Sequence, residues 1–253
     1  MIIIIYGICS MIQEVFIDCD DKRIYGKIYR PDNNVSKLPV VILCHGLYAN
    51  HKWLEYYAEG LVRKNIVSFL FDFCGAADSL SDGELIDSSP LTEKENLDAV
   101  ISNISDMDFV DEDNIFLLGH SQGGLVAAYC AKTNDIKGLF LLSPAFNVPD
   151  EMKNVPLPLE GEFTKILPGL VGRRYILDSR SIDVEKLFDE YSGSVYIFHG
   201  SEDNAVPIES SINASQEYEN CVLTVLDDEK HNLSQKGQEK VLDYMIKTIM
   251  GVI

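Results

Sequence analysis

The chain has 253 residues, of which 46% are hydrophobic and 24% are charged, so it can bury a substantial core. Its 21 Lys and Arg against 40 Asp and Glu give a formal net charge of −19. A chain this acidic repels nucleic acid and anionic lipid, which excludes both classes of partner. No stretch approaches the length of a transmembrane helix.

The first eleven residues, "MIIIIYGICSM", resemble a signal peptide only in being apolar. No basic residue precedes the apolar run, and no small-residue cleavage site follows it. Residues 1–10 are either an extra strand or an extension upstream of a natural start at Met11, and we favour the extension.

The rest of the chain alternates between strand and helix patterns. Alternating residues around "CDDK" predict a hairpin made of Glu14–Asp18 and Arg23–Tyr29. The following segments predict, in order, a strand ending at Cys44, a helix at 53–64, the strand "IVSFLFDF", a helix at 90–105, the strand and helix around Ser121, and the strand "KGLFLLSP". After residue 191 come the strand "SVYIFHG", a helix at 208–218, the strand "CVLTVLD" and a helix from Ser234.

Residues 145–191, called the insert below, break this rhythm with four prolines and no clear alternation. The sequence therefore predicts an α/β core made of residues 11–144 and 192–253, with the insert as a small cap. Strands alternating with helices predict a mostly parallel central sheet with helices on both faces.

The cysteines are scattered and form no C-x-x-C pair, so we expect reduced thiols in a cytoplasmic protein rather than a disulfide framework. They are Cys9, Cys19, Cys44, Cys74, Cys130 and Cys221.

The segment "NIFLLGHSQGGLVAAYC" places Ser121 between a strand pattern and a helix pattern, with Gly119 and Gly123 two residues away on either side. Serine is a preferred helix N-cap, but capping does not explain the two glycines. A sharp strand-to-helix turn does, because side chains at those positions would clash. G-x-S-x-G is the pattern of a nucleophile elbow.

A nucleophilic serine needs a base, and the base needs an acid that orients it. His231 lies in the polar loop "DDEKHNLS" after the last strand, and Asp203 lies in "HGSEDNAVP" after the strand before it. The order Ser121, Asp203, His231 is the chain order of an α/β-hydrolase triad.

The other histidines suit the role of base less well. His120 adjoins the serine, His45 and His199 end strands and are expected to shape loops, and His51 is expected to be solvated.

Two backbone N–H groups are the expected oxyanion donors. One belongs to Gln122, the residue after the nucleophile. The other belongs to Leu47 in "CHGLYAN", where Gly46 lets the backbone approach closely.

Together these motifs resemble the α/β-hydrolase serine esterases, most of all the cinnamoyl/feruloyl esterase group and its lipase-like relatives. The residues that carry the resemblance are His45-Gly46-Leu47, "FDFCGAADS", "GHSQGG", "HGSEDNAVP" and His231. It extends from about Met11 to the C-terminus and implies an α/β-hydrolase fold.

The leading hypothesis is a carboxylic-ester hydrolase acting on small or medium acyl esters, aromatic ones included. Alternatives on the same scaffold are a monoacylglycerol lipase, a thioesterase or a small serine peptidase. An interaction protein that retains the fold is a further alternative, although such a protein would be expected to have lost part of the triad. No cofactor or metal is implied, the expected partner is a small-molecule ester, and the oligomeric state stays open, a homodimer included.

The insert follows a core strand on the side where the elbow emerges, so it should cover the acyl pocket. Its apolar and aromatic residues would then form the pocket's non-polar walls, unless they form a small core of the insert itself. The candidate substrate contacts are Phe146, Phe163, Leu167, Leu170 and Tyr175.

Overall fold

The computed structural model describes residues 2–5, 8–33, 37–166 and 169–252, with the backbone alone for residues 2–5, 8 and 9. The strands are β1 (Ile2–Ile5), β2 (Ile8–Cys19), β3 (Lys22–Pro31), β4 (Leu38–Cys44), β5 (Val67–Phe71), β6 (Val110–His120), β7 (Gly138–Leu142), β8 (Phe163–Lys165), β9 (Leu170–Gly172), β10 (Ser194–Gly200) and β11 (Cys221–Leu226). The α-helices are α1 (Glu55–Val62), α2 (Pro90–Ser105), α3 (Gln122–Ala131), α4 (Val148–Met152), α5 (Arg173–Ser181), α6 (Val184–Asp189), α7 (Ile208–Glu217) and α8 (Gln235–Val252).

Within these ranges the main sheet has nine strands in the order β1-β2-β3-β5-β4-β6-β7-β10-β11. Neighbouring strands from β5 to β11 pair in parallel, whereas β1, β2 and β3 are antiparallel to their neighbours. The predicted mostly parallel α/β sheet is confirmed. Within residues 1–10, predicted as an extension, Ile2–Ile5 form β1 at one edge of the sheet and Ile8 begins β2.

The core forms two layers because successive strand residues point to opposite faces of the sheet. In β4, Val40 and Ile42 pack on one face, with α2 and α3, while Val41 and Leu43 pack on the other, with α1 and α8. All seven residues of β4 are buried, as expected for a central strand covered by helices on both sides.

The helix at 90–105 has the predicted bounds because its N-terminus is well specified. Ser89 is its N-cap and makes a reciprocal capping box with Thr92, and Pro90 occupies the first turn. Of the helices in the described ranges, none has both the length and the apolar composition to cross a membrane.

The insert contains α4, the β8–β9 hairpin, α5 and α6. Four of its side chains form a small buried cluster, against which Leu47 of the core also packs: Met152, Val171, Tyr175 and Ile176. Its division from the core as a cap stays a prediction.

Candidate active site

A cavity of about 1110 Å³ lies beyond the carboxyl ends of the parallel strands. Its walls include Leu47 after β4, Ser121 after β6, Asp203 after β10 and His231 after β11. Loops far apart in sequence therefore converge because the strands that precede them run in the same direction. This is the usual position of ligand sites in open α/β sheets.

Ser121 is the single residue between the end of β6 and the start of α3, and its backbone is strained at φ 55° and ψ −122°. An ordinary N-cap has extended backbone angles and uses its side chain to cap the helix, whereas the Ser121 side chain makes no capping hydrogen bond. Such a conformation costs about 1–3 kcal/mol in a non-glycine residue and is concentrated at functional sites. The capping interpretation of Ser121 therefore fails, and its side chain lies at the cavity instead.

The two glycines that flank the serine are required by close backbone contacts. A Cβ atom on Gly119 would lie 2.4 Å from the Gly123 carbonyl oxygen, and one on Gly123 would lie 2.3 Å from the Cys44 carbonyl oxygen. Larger residues would push α3 away from β6 and β4, which agrees with the steric reason inferred from the sequence.

Asp203 and His231 form a hydrogen-bonded pair in which His231 Nδ1 lies 2.8 Å from Asp203 Oδ2. The other carboxylate oxygen accepts the backbone N–H groups of Ala205 and Val206 at 2.8 and 2.9 Å. Burial alone would raise the pKa of Asp203, but hydrogen bonds from His199, His231 and these two amides hold it well below its ordinary value.

The exposure of this pair is uneven. The Asp203 side chain is 1% exposed, whereas that of His231 is 19% exposed and lines the cavity. The pair thus presents one imidazole edge to a ligand and keeps its charged oxygen away from water.

His199 is a second partner of Asp203 that the sequence did not reveal. Its Nε2 lies 3.3 Å from Asp203 Oδ2 and 3.1 Å from the Val206 carbonyl oxygen. Both neighbours are acceptors, so Nε2 carries a proton, and in the neutral ring Nδ1 accepts from the Ser211 hydroxyl at 2.8 Å. The only signal for this role is its position four residues before Asp203.

His120 holds the loop that carries His231. The two rings lie at 42° to each other with centroids 4.8 Å apart, and His120 Nε2 donates to the His231 carbonyl oxygen at 3.2 Å. Burial and the neighbouring His231 lower the pKa of His120 to about 4, so this ring is neutral at pH 7.

His45 holds the loop after β4 in place, as expected from the sequence. The Phe73 N–H donates to His45 Nε2 at 3.1 Å, which leaves the ring proton on Nδ1, 2.9 Å from the Gly46 carbonyl oxygen. Burial lowers the pKa of His45 to about 4 and keeps the ring neutral. Leu47, the residue after Gly46, lines the cavity, and Gln122 lines it as well.

The prediction for His51 is wrong, because this histidine is buried rather than solvated. Its side chain is 2% exposed, and both its Nδ1 and its backbone N–H contact Asp72 Oδ1, at 2.8 and 2.7 Å. A polar loop suggested solvent, but the loop folds over a carboxylate at the end of β5.

Of the five predicted substrate contacts, Tyr175 lines the cavity and Leu167 lies outside the described residues. The other three are not on the cavity wall, which corrects their prediction. Phe146 packs edge-to-face on Phe188 in the core, and Phe163 and Leu170 are 42% and 47% exposed on the β8–β9 hairpin.

The insert reaches the cavity with different side chains: Asn147, Val148, Glu151, Met152, Val155, Lys165 and Ile166. Three of the five residues of α4 line the cavity, and a helix this short shows no periodic pattern in the sequence. Trp53, the single tryptophan of the chain, adds an aromatic wall from the core.

A model of the hydrolase family described as "Serine aminopeptidase, S33" matches residues 36–187, more than half of the chain. The chain belongs to this family. Among curated protein sequences, none matches this hydrolase.

Solved structures of esterases share the fold of this hydrolase. Est1E from Butyrivibrio proteoclasticus, in a structure with ferulic acid bound, is 28% identical with a TM-score of 0.83, and the match covers 93% of this chain and 99% of that one. The esterase EaEST from Exiguobacterium antarcticum is 17% identical with a TM-score of 0.70, covering 94% of this chain and 100% of that one. The first likeness supports an esterase-like hydrolase, and the second shows the fold alone.

Proposed function

We propose that this protein is a serine carboxylic-ester hydrolase that works through an acyl-enzyme, with Ser121 as nucleophile, His231 as base and Asp203 as orienting acid. One observation carries the proposal: the strained Ser121 and the Asp203–His231 pair line the same cavity. A strained nucleophile beside an ordered imidazole is what acyl transfer needs, since a serine hydroxyl is a weak nucleophile without a base.

In the proposed reaction Ser121 Oγ attacks the ester carbonyl carbon while His231 Nε2 takes the hydroxyl proton. Asp203 keeps the His231 Nδ1–H in place and stabilises the imidazolium that forms. The oxyanion accepts hydrogen bonds from the backbone N–H groups of Gln122 and Leu47. His231 then protonates the departing alcohol, and water activated by the same imidazole hydrolyses the acyl-enzyme.

The substrate class is proposed from the cavity. Its volume of about 1110 Å³ fits a small or medium acyl ester, and Trp53, Val148 and Ile166 offer non-polar walls. The ferulic acid bound to Est1E supports hydroxycinnamoyl esters as members of this class. Since the insert supplies a large part of the wall, we propose that it sets the acyl preference.

A small serine peptidase is the second candidate, because the family description names aminopeptidases and the cavity wall carries a carboxylate. Glu151 is exposed there and accepts a hydrogen bond from the Asn147 amide at 2.7 Å, so it could bind a free amino group. Monoacylglycerol and thioester hydrolysis are tested by adding a monoacylglycerol and an acyl thioester to the substrate panel described next.

The deciding experiment combines labelling with a substrate panel. A fluorophosphonate should label Ser121, and Ser121→Ala should abolish labelling and lower kcat on p-nitrophenyl butyrate about 10⁶-fold. Ser143→Ala is the matched control, because Ser143 follows the neighbouring strand with φ 41° but is 1% exposed and absent from the cavity wall. Near-normal turnover by Ser121→Ala would refute the proposal, and faster cleavage of aminoacyl p-nitroanilides than of methyl ferulate and p-nitrophenyl esters would favour the peptidase.

A further inference from the structure

A buried chain of hydrogen bonds runs behind Ser121 through the side chain of Gln122. Gln122 Nε2 donates to Glu93 Oε2 at 2.8 Å, and Gln122 Oε1 accepts from the Tyr175 hydroxyl at 2.6 Å. The three residues are 3% (Glu93), 1% (Gln122) and 2% (Tyr175) exposed. They belong to α2, α3 and the insert's α5, so the side chain of the residue after the proposed nucleophile is held between the core and the insert.

The Gln122 amide is bound at both of its ends. Its Oε1 faces the Tyr175 hydroxyl, which donates to it, and its Nε2 faces Glu93 Oε2, which accepts from it whether or not the carboxyl is protonated. Side chains buried this deeply cannot turn to water for a replacement partner, and leaving one unsatisfied costs about 1–3 kcal/mol. The amide, and with it the start of α3, is therefore fixed from both ends.

The same region also ties α5 to α2. The Ser89 hydroxyl, at the N-cap of α2, donates to Asp178 Oδ2 of α5 at 2.6 Å. Together with the Tyr175–Gln122 bond, this places two polar contacts between α5 and the elements around the elbow. A movement of α5 would pull directly on Gln122.

On the basis of the proposed esterase function, we propose that Glu93 and Tyr175 are positioning residues that hold the Gln122 backbone N–H in place as an oxyanion donor, so that the insert and the oxyanion hole are coupled. A donor displaced by a fraction of an ångström stabilises the developing charge less, and removing one outright costs about 10²–10³-fold in kcat. A variant that only lets the Gln122 N–H move should therefore lose less kcat than one that removes this donor.

The charge of Glu93 gives this role a pH signature. Burial raises the pKa of Glu93 to about 8, against the opposing effect of hydrogen bonds from Gln122 and Ser88, so the carboxyl is neutral at pH 7. Above that pKa a buried negative charge would lie one hydrogen bond from Gln122 and would oppose the negative oxyanion.

Other titratable groups near Glu93 do not gain a negative charge in the same pH range. Cys44 of β4 and Tyr175 of α5 face Glu93, and burial raises the pKa of both well above their ordinary values. Asp178, also on α5, is bound to Ser89.

The first test compares Tyr175→Phe with Tyr191→Phe. Tyr191 is the matched control because it is also buried with one hydroxyl hydrogen bond, to the Ile136 carbonyl oxygen at 3.0 Å, but it does not line the cavity. Tyr175→Phe should lower the kcat for p-nitrophenyl butyrate about tenfold with little change in KM, whereas Tyr191→Phe should leave kcat unchanged. Equal kcat values in the two variants would overturn the proposal.

The second test measures kcat against pH. The wild type should lose activity as the pH rises through about 8, and Glu93→Gln, which keeps a neutral partner for Gln122, should stay active to about pH 9.5. The same alkaline loss in both proteins would overturn the proposal. If Ser121→Ala is inactive while these variants behave like wild type, only this inference fails; if Ser121→Ala is active, the esterase proposal fails first.

Discussion

Asp72 and His51 form one pair in this hydrolase, and Asp203 and His231 form another, with the same 2.8 Å contact between Nδ1 and a carboxylate oxygen. Both aspartates have a pKa below the ordinary value, because hydrogen bonds from histidine and backbone amides outweigh burial. The local chemistry of the two pairs is nearly the same.

What differs is access. His51 is 2% exposed and absent from the cavity wall, whereas His231 is 19% exposed and lines the cavity beside Ser121. A sealed pair can only hold the chain together, here by joining the loop after β4 to the end of β5. A pair with one open edge can also exchange a proton with a ligand. The comparison teaches that an Asp–His contact indicates function only together with the space around the imidazole.

Among substitutions at the two aspartates, the largest effect on kcat should come from Asp203→Asn. An amide at this position holds the His231 ring poorly and favours the wrong tautomer, a defect worth about 10⁴-fold in kcat in a serine protease triad. Steady-state kinetics on p-nitrophenyl butyrate would measure it. Glu202→Gln, at the exposed neighbouring position, is the control and should be nearly silent. Equal losses in the two variants would mean that Asp203 has no special role.

The next effect should be on stability, from His51→Ala. Removing the histidine leaves the buried Asp72 carboxylate short of one hydrogen-bond donor, which costs about 1–3 kcal/mol and more for a charged group. Urea unfolding should show this loss in the free energy of unfolding, while the kcat of the folded variant stays near that of wild type. His231→Ala should also lose stability, because the buried Asp203 loses a hydrogen-bond donor, but unlike His51→Ala it should have a very low kcat. If the two variants had the same kcat, the distinction drawn from access would be wrong.

His199→Phe should produce an intermediate effect, because His199 is sealed like His51 but contacts Asp203. A hydrogen bond to a charged group contributes about 1.5–3 kcal/mol, so the variant should lose about 2 kcal/mol of unfolding free energy. The kcat should fall about tenfold, because Asp203 loses one of the donors that hold it. Unchanged kcat together with the full loss of stability would limit His199 to a structural role.

The last prediction concerns the pH dependence of stability. Asp72 and Asp203 have lowered pKa values, so their contribution is present above their ordinary value of 3.8 and is lost as the pH falls below it. Glu93 acts in the opposite direction: its pKa rises from 4.5 to about 8, so the folded state holds a proton that the unfolded state releases, and stability falls between those values. Glu93→Gln should flatten the curve of unfolding free energy from about pH 5 to 8. A slope equal to that of wild type would contradict the assignment.

The sequence by itself was enough to predict the α/β fold, most element bounds and the position of Ser121 between β6 and α3. These features depend on local patterns: runs of apolar residues, a capping box before Pro90, and glycines where a side chain would strike the backbone of Cys44 or Gly123. The order Ser121, Asp203, His231 was also readable, because parallel strands bring the loops that follow them to the same edge of a sheet.

The tertiary structure alone decided which polar and aromatic groups meet. In the sequence His51 has the surroundings of a solvated loop, and Glu93 those of the first turn of a helix. The packing of other elements nevertheless buries both side chains. The insert shows the same limit, since Phe146, Phe163 and Leu170 were chosen for their size, but short helices and a hairpin turn other side chains toward the cavity. A sequence pattern indicates which face of an element is apolar. Which partner that face contacts depends on residues tens of positions away, as with Glu93, Gln122 and Tyr175.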